Sequence, residues 1–473
     1  MFGGNCGFHR GLACTWVLAV LAALPPIAHA ERPNIVWLVV DALRWDRVSA
    51  YDPAHRKLSP FLDSLARRSH VYWRAYAASS WTMPSVAAMF TSRYPLQLGV
   101  VNFRSRLDER ETTVADALRA HGYATAGFTA NPLLRSGNGY GQGFESWYAA
   151  PFDPRGRPFS KTRADFLLES LRAWLASQQH DGAARRPVFL FFHLMETHFP
   201  YAPPPAELEE ILRDDGQAAS TREAIAELWS GTGERWRAPD ERARRAIVAL
   251  YEAEVLAADR AVARIAGALA EHGILDRPVL IVTADHGEDL FDAEGLGHAK
   301  HLREVTVRVP LLISFPRQAE RVDVHRVVSL LDLAPTVLSV ANIPVPRSMQ
   351  GRPLERLDGG AARLWAKLFP GLDRAMIELP RRPEAERAEP PGERAAWVEG
   401  NWKLVERGDG QEVLWQVDTE TLAEKQAHDV ATARKLRKNW NRLRSRVEQA
   451  TAAPTVALED AVKERLRALG YAE

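Results

Sequence analysis

The sequence predicts an α/β fold: a mostly parallel central sheet flanked by helices, with a small antiparallel sheet in a C-terminal subdomain. Three observations predict it. Continuous runs of Val, Ile, Leu and Phe recur along the chain, as in strands covered on both faces by helices. Amphipathic helical segments lie between those runs, the interleaving expected of an α/β architecture. Near the C-terminus, short strand-like segments follow one another with no helix between them. The 473 residues are 46% apolar and 26% charged, which suits a large core and does not suit a disordered or fibrous chain.

Taken in order, residues 1–30 read as a secretory signal. Arg10 precedes an apolar run from Trp16 to Leu24, and Ala28-His29-Ala30 forms a small-x-small cleavage site after Pro25-Pro26. The run is shorter than the roughly 20 residues a spanning helix needs; a retained membrane anchor is the alternative. Cys6 and Cys14 both lie in this segment. Cleavage after Ala30 removes both, and with them any disulfide or thiolate chemistry. It also leaves Lys plus Arg equal to Asp plus Glu, at 60 each. That balance excludes a nucleic-acid-coating protein. The expectation is an exported enzyme, periplasmic or extracellular, of a bacterial envelope, with no stable membrane span once the signal is cleaved.

Strands are expected at Asn34–Val40 (ending at Asp41), Pro187–Phe192 (ending at His193), Arg277–Thr283 (ending at Asp285-His286) and Val309–Phe315. Helices are expected at Pro60–Ser69, Thr113–His121 and Glu252–His272. Residues 203–245, opening on Pro203-Pro204 and rich in charge, read as an insertion or cap. The domains expected are a catalytic unit over 31–365 and a C-terminal subdomain over 366–473. The latter begins with a Pro/Glu/Arg-rich linker at 381–394. Strands follow at Ala396–Glu399, Trp402–Glu406 and Val413–Val417, then a helix at Leu458–Leu469 ending at Gly470.

Sites in such sheets sit beyond the carboxyl ends of the strands, which singles out Asp41, His193, Asp285 and His286. Two carboxylates and an imidazole suit one divalent cation, although each alone also reads as a cap or a surface group. Pro84 is placed to open a helix running to Thr91. Thr82 then stands just before a helix N-terminus, where an anion is favoured. Beside a metal its hydroxyl is a nucleophile; alone it reads as a helix cap. His193 and His198 suggest substrate or leaving-group contacts, and a satisfied core histidine is the plainer reading of His193. In Gly297-His298-Ala299-Lys300-His301, His298 and Lys300 offer a base and a cation for the transferring oxygens, or simply a solvated basic turn.

Together these segments resemble the sulfatase family of the alkaline phosphatase superfamily. The likeness runs in order through Pro33–Asp46, Ser80–Pro95, His193–Tyr201, Asp285–Glu288, Gly297-His298, Arg308–Leu311, Leu331–Thr336, Asn401–Leu404 and Leu466–Tyr471. It implies an alkaline phosphatase/sulfatase-like fold and a metal held by Asp41, Asp285, His286 and the nucleophile, Thr82. It also implies substrate contacts at His198, His298 and Lys300, with His193 and Arg44 as further substrate-binding candidates.

The departures are chemical. The family's usual Cys-x-Pro-Ser-Arg is Thr82-Met83-Pro84-Ser85-Val86 here, so no formylglycine is expected and its supporting arginine is Val86. The usual Asp-Asp is Asp41-Ala42, which removes one carboxylate; Asp46 caps or pairs with Arg44. A nearby glycine is Ser92. A formylglycine hydrate has two hydroxyls, whereas threonine has one, so a Thr82 ester must be cleared by water. The expectation is therefore a sulfatase-like hydrolase of a sulfate or phosphate ester, acting on a small-molecule, lipid or glycan substrate. The alternatives are a phosphoryl transferase, a phosphodiesterase or phosphonate ester hydrolase, and a decayed binding protein on the same fold. The resemblance implies Ca²⁺; the histidine and threonine also suit Mn²⁺, Mg²⁺ or Zn²⁺.

Overall fold

The strand predicted at Asn34–Val40 forms as β1 (Ile35–Val40), apolar and buried at every position. A computed structural model describes residues 32–52, 58–151, 163–178, 186–213, 215–230, 239–293, 295–354, 374–379, 392–419, 421, 423–447 and 454–455. The other strands of the main sheet that precede the site are β2 (His70–Tyr76), β3 (Ala124–Thr129), β4 (Ser146–Ala149), β5 (Val188–Leu194) and β6 (Val279–Thr283). A two-stranded ribbon, β7 (Asp289–Leu290) and β8 (Leu296–Gly297), follows. Then β9 (Arg308–Val309), β10 (Leu311–Ser314) and β11 (Val322–Ser329) rejoin the main sheet.

The order across that sheet is β11-β2-β10-β6-β1-β5-β3-β4, with β9 also on β2. β1 pairs in parallel with β5 and β6, β3 with β4 and β5, and β2 with β11. The fourth apolar run differs from a parallel reading: β10 is antiparallel to both β6 and β2. An unbroken apolar run reports that both faces are covered, and it carries no information about direction.

The helices used below are α1 (Pro60–Ala66), α2 (Thr82–Thr91), α3 (Val114–Ala120), α4 (Ala164–Gln178), α5 (Pro205–Arg213), α6 (Ala218–Ser230) and α7 (Glu241–Glu271). α3 starts where expected because Thr113 and Asp116 form a capping box. α7 begins eleven residues before the predicted Glu252. Asp240 caps it by accepting from Ala243 N at 2.8 Å, and Ala243, Ala246 and Ile247 continue its buried face through the charged segment. α5 and α6 lie within the predicted insertion, and their apolar sides (Leu208, Ile211 and Leu212; Ala224, Ile225 and Leu228) are buried. In the core, Trp37, Phe90 and Phe191 meet edge to face.

The C-terminal sheet is an antiparallel meander of five strands, β12 (Arg374–Glu378), β13 (Glu393–Glu399), β14 (Trp402–Arg407), β15 (Glu412–Val417) and β16 (Glu424–Ala427). α8 (Val430–Val447) buries Leu436 and Trp440 in the cluster that holds Trp397, Leu404 and Leu414. β16, with the sequence Glu-Lys-Gln-Ala, is a polar edge strand and gave no apolar signal. Glu393 and Arg394 of the expected linker already belong to β13. Residues 381–391, the secretory signal and the helix at Leu458–Leu469 lie outside the described residues. No described helix is long and apolar enough to cross a membrane.

Candidate active site

β1, β5 and β6 end side by side, with Val39 in register with both His193 and Thr283. Their carboxyl ends bring Asp41, His193, Asp285 and His286 into one buried cluster, every member of which is 0% exposed. One oxygen each of Asp41 and Asp285 and one nitrogen of His193 lie within 4.8 Å of one another. His286 Nε2 stands 3.3 Å from Asp41 Oδ1 and 3.6 Å from Asp285 Oδ2. His193 Nε2 stands 3.3 Å from Asp285 Oδ2 and 4.0 Å from Asp41 Oδ2.

The supports of these groups aim them inward. Asp285 Oδ1 accepts from the backbone N–H of Ala42 and of His286, which leaves Oδ2 facing the cluster. Asn131, just past β3, donates Nδ2 to Asp41 Oδ2 at 2.8 Å. His286 Nδ1 lies 2.8 Å from the carbonyl of Gly287, so Nδ1–H donates there and Nε2 points at the carboxylates. Ser85 of α2 donates to the carbonyl of Asp285 at 2.6 Å and ties the helix to this turn.

The electrostatics ask for a cation. Asp41 Oδ1 is buried and has no hydrogen-bond partner among the described residues. Burial alone would raise the Asp41 carboxyl, but His198, His286 and His193 hold it far below the usual carboxylate range. Burial would likewise lower His286; Asp285 and Asp41 outweigh it and push the imidazole up to about 9. Two buried carboxylates that stabilise a proton in this way will also stabilise a divalent ion. The donor set of carboxylate oxygens and imidazole nitrogens fits such an ion.

Thr82 is at the cluster, with Oγ1 3.3 Å from His286 Nε2. It is the first residue of α2, not the residue before the helix, and Pro84 occupies the third position. Proline is tolerated there because first-turn N–H groups lack intrahelical partners. Trp81 occupies the cap position, so Thr82 is not the helix cap. Val86 is buried in the core.

A second tier of polar groups adjoins the first. The His298 ring lies 4.3 Å from that of His286 and 5.0 Å from that of His198. Burial, with His286 alongside, lowers His298 to about 3; burial also lowers His198 to about 4, against the pull of Asp41. Both imidazoles are therefore neutral at pH 7. Glu288 Oε1 meets His298 Nδ1 at 2.9 Å, and Tyr201 donates to Glu288 Oε2 at 2.9 Å. Burial raises Glu288 to about 7.

Three expected roles change. Arg44 does not face a substrate: its guanidinium is engaged by Asp46, Asp292 and the carbonyl of Glu288, and the residue is 1% exposed. The pairing with Asp46 is as expected. His193 is neither a substrate contact nor a plain core histidine, because it sits between the carboxylates of Asp41 and Asp285. Lys300 is exposed and folds back to donate Nζ to the carbonyl of Leu296 at 2.8 Å, while Ala299 N binds the carbonyl of Ser80. Sequence reasoning missed Asn131, Glu288 and Tyr201. Asn131 follows a strand end, and Glu288 follows Asp285-His286-Gly287, so position alone could have flagged both. Tyr201 closes the His193–Tyr201 segment of the resemblance, which assigned it no role.

The chain resembles known proteins over most of its length. The family model described as Sulfatase matches residues 33–343. The chain is 24% identical over 435 residues to arylsulfatase K of Gallus gallus, covering 84% of this chain and 75% of that protein. The structure of a phosphonate monoester hydrolase from Silicibacter pomeroyi matches with a TM-score of 0.64 at 20% identity, over 88% of this chain and 96% of that one. A protein solved with its substrate D-glucosamine-2-N,6-O-disulfate matches with a TM-score of 0.65 at 17% identity, over 88% and 98% of the two chains.

Proposed function

This chain belongs to the sulfatase family and is an ester hydrolase; we propose that it uses Thr82 as nucleophile in metal-dependent cleavage of a sulfate, phosphate or phosphonate ester. The observation that carries this reading is the placement of Thr82 Oγ1 at 3.3 Å from His286 Nε2, beside Asp41 and Asp285 in one buried cluster. Asp41, Asp285, His286 and Thr82 would hold the ion, with His193 as a further ligand. A bound divalent cation would supply Lewis-acid polarisation of the ester and lower the pKa of the threonine hydroxyl. Two carboxylates with one or two imidazoles suit Mn²⁺ or Zn²⁺ better than Ca²⁺, which prefers six to eight oxygens. This preference departs from the Ca²⁺ that the resemblance implies.

The residues divide the work. Thr82 Oγ forms a bond to sulfur or phosphorus, and the ester's alcohol oxygen leaves and takes up a proton. His198 and His298 are the neutral imidazoles that adjoin the cluster and would serve that oxygen, and Glu288 fixes the Nδ1 side of His298. Water then attacks the Thr82 ester, releases sulfate, phosphate or, from a phosphonate ester, the organic phosphonate, and returns the hydroxyl. Threonine cannot expel the group as a hydrate can, and this favours phosphate and phosphonate monoesters over sulfate. The reading includes export by the N-terminal segment and a substrate whose organic part is set by the 203–245 insertion and the C-terminal subdomain.

The test is a panel of aryl sulfate, phosphate monoester, phosphate diester and phosphonate ester assayed with Mn²⁺, Zn²⁺, Mg²⁺ and Ca²⁺. Thr82→Ala should lose about 1,000-fold or more in kcat, as removal of a nucleophile does. Wild-type turnover by that variant would remove Thr82 from the reaction.

A further inference from the structure

The C-terminal helix α8 carries a charge pattern that nothing in the reaction uses. Its eighteen residues include seven Lys or Arg and no Asp or Glu, in a chain whose cations and anions balance overall, at 61 and 60. Six of the seven fall into two sets. Arg437 and Arg444 pair with Glu406, Arg437 also reaches Glu412, and Lys435 lies 3.7 Å from Glu399. These pairs dock the helix on β13, β14 and β15. Arg434, Lys438 and Arg442 are exposed and have no acidic partner among the described residues. They recur every four residues, so they line one face with steps of about 6 Å. Three like charges in such a row repel one another, and nothing in the packing of α8 requires them.

Beside this row a cleft of about 730 Å³ opens between α8, the residues just before it and strands β14 and β15. Arg434, Arg437, Lys438 and Asn441 line it together with two carboxylates, Glu412, which pairs with Arg437, and Asp429, which accepts from the first N–H groups of α8. With those carboxylates engaged, Arg434, Lys438 and the Asn441 amide suit a ligand that carries anionic groups and hydroxyls together.

We propose that this face of α8 binds a polyanionic glycan, with Arg434, Lys438 and Arg442 contacting successive acidic groups along the polymer. Two other polyanions fit less well. Single-stranded nucleic acid needs exposed rings for base stacking, and the one aromatic residue of α8, Trp440, is 1% exposed. An anionic membrane needs several large apolar anchors among the cations, and α8 exposes one, Val430, among polar neighbours such as Asn441 and Ser445. The surface consists of groups other than the Thr82 cluster, so it would hold a polymer while that cluster works on one ester. The choice of a glycan rests on the ester-hydrolase reading; the binding itself does not.

The experiment uses the full chain and two variants, R434S/K438S/R442S and the charge-keeping R434K/R442K. Binding of a heparin dodecasaccharide is measured by titration calorimetry at low and physiological salt, with a DNA duplex of matched charge in parallel. The wild type should bind heparin with an affinity that falls as salt rises, and R434K/R442K should keep it. The serine variant should bind about 10-fold or more weakly, as expected for loss of three exposed ion pairs. Its thermal midpoint and its hydrolysis of small aryl esters should match wild type. Failure of wild type to bind, unchanged binding by the serine variant, or tighter binding of DNA than of heparin would each overturn the proposal. Absence of turnover on every small ester, with heparin binding intact, would instead count against the function proposed for Thr82.

Discussion

Gly287 gives the sharpest test of how the site is built. It stands between His286, which faces the carboxylates, and Glu288, which holds His298. Its N–H donates to the carbonyl of Thr306 at 2.8 Å. A Cβ added there would lie 2.1 Å from the carbonyl oxygen of Val305 and 3.0 Å from its carbonyl carbon. Both are backbone atoms, so no side-chain rotation can relieve the clash. Ordinary contact is restored only if the 285–288 turn and the 304–307 segment part by about 1 Å, and forced overpacking of this kind costs about 1–3 kcal/mol. The same movement displaces His286 and Glu288 together, and a shift of about 1 Å in catalytic groups costs on the order of 100-fold in rate. Gly287→Ala should therefore lower both the thermal midpoint and kcat/KM. Gly267→Ala is the control: it lies on an exposed turn of α7, and an added Cβ there meets nothing within 4 Å. That control should gain about 0.5–1 kcal/mol in stability through helix propensity and leave kinetics unchanged. Wild-type stability and turnover in Gly287→Ala would refute the account of the turn.

Three further outcomes follow from the same structure. Lys403 is buried against Glu304 at 3.0 Å and Glu424, so Lys403→Met leaves Glu304 buried with no cation in hydrogen-bond contact among the described residues while Glu424 keeps Arg303, and should cost about 3 kcal/mol by denaturant unfolding. A loss under about 1 kcal/mol would show that the pair is solvated. Burial raises Glu378 from 4.5 to about 7, so between those values the folded state holds a proton that the unfolded state has released. Its contribution to stability is present below pH 4.5 and declines as pH rises to about 7. Glu378→Gln can still accept from Leu96 N and should remove that decline from a series of thermal midpoints between pH 5 and 8; a constant difference between the two proteins across the series would contradict it. Finally, adding Mn²⁺ or Zn²⁺ to chelator-treated protein should stabilise the fold by about 2.7 kcal/mol at a hundredfold excess over Kd, read as a rise in the thermal midpoint. Asp41→Asn should abolish that rise, and its persistence would place the ion elsewhere.

Much of the fold was legible because burial leaves a strong trace. The runs that became β1, β5 and β6 are apolar without alternation, and each ends at a group with metal or proton chemistry. Direction left no such trace, which is why β10 reads like its neighbours and runs against two of them. Polar edge elements were silent for the opposite reason. β16 satisfies its backbone through β15 and needs no apolar side chains to do so. The early start of α7 was hidden by charge density, although the period of Ala243, Ala246 and Ile247 continues through it.

The site was legible in composition and less so in pairing. A sequence shows which groups require partners, and folding decides which partners come within reach. Arg44 had one visible partner in Asp46, two residues away. The second, Asp292, lies 248 positions along the chain, and together they turn an expected substrate contact into a buried strut beneath Glu288. His193 followed an apolar run, so its burial was predictable, and a buried imidazole must find polar neighbours. Those neighbours come from β1 and β6, the two strands that flank its register, and both deliver carboxylates at that level. An imidazole placed there adds a nitrogen donor without adding negative charge. In a cluster with one carboxylate fewer than the related pattern, the two acidic groups would balance a doubly charged ion, and none in excess would hold back the hydroxyl of Thr82 from ionising in the reaction proposed for it.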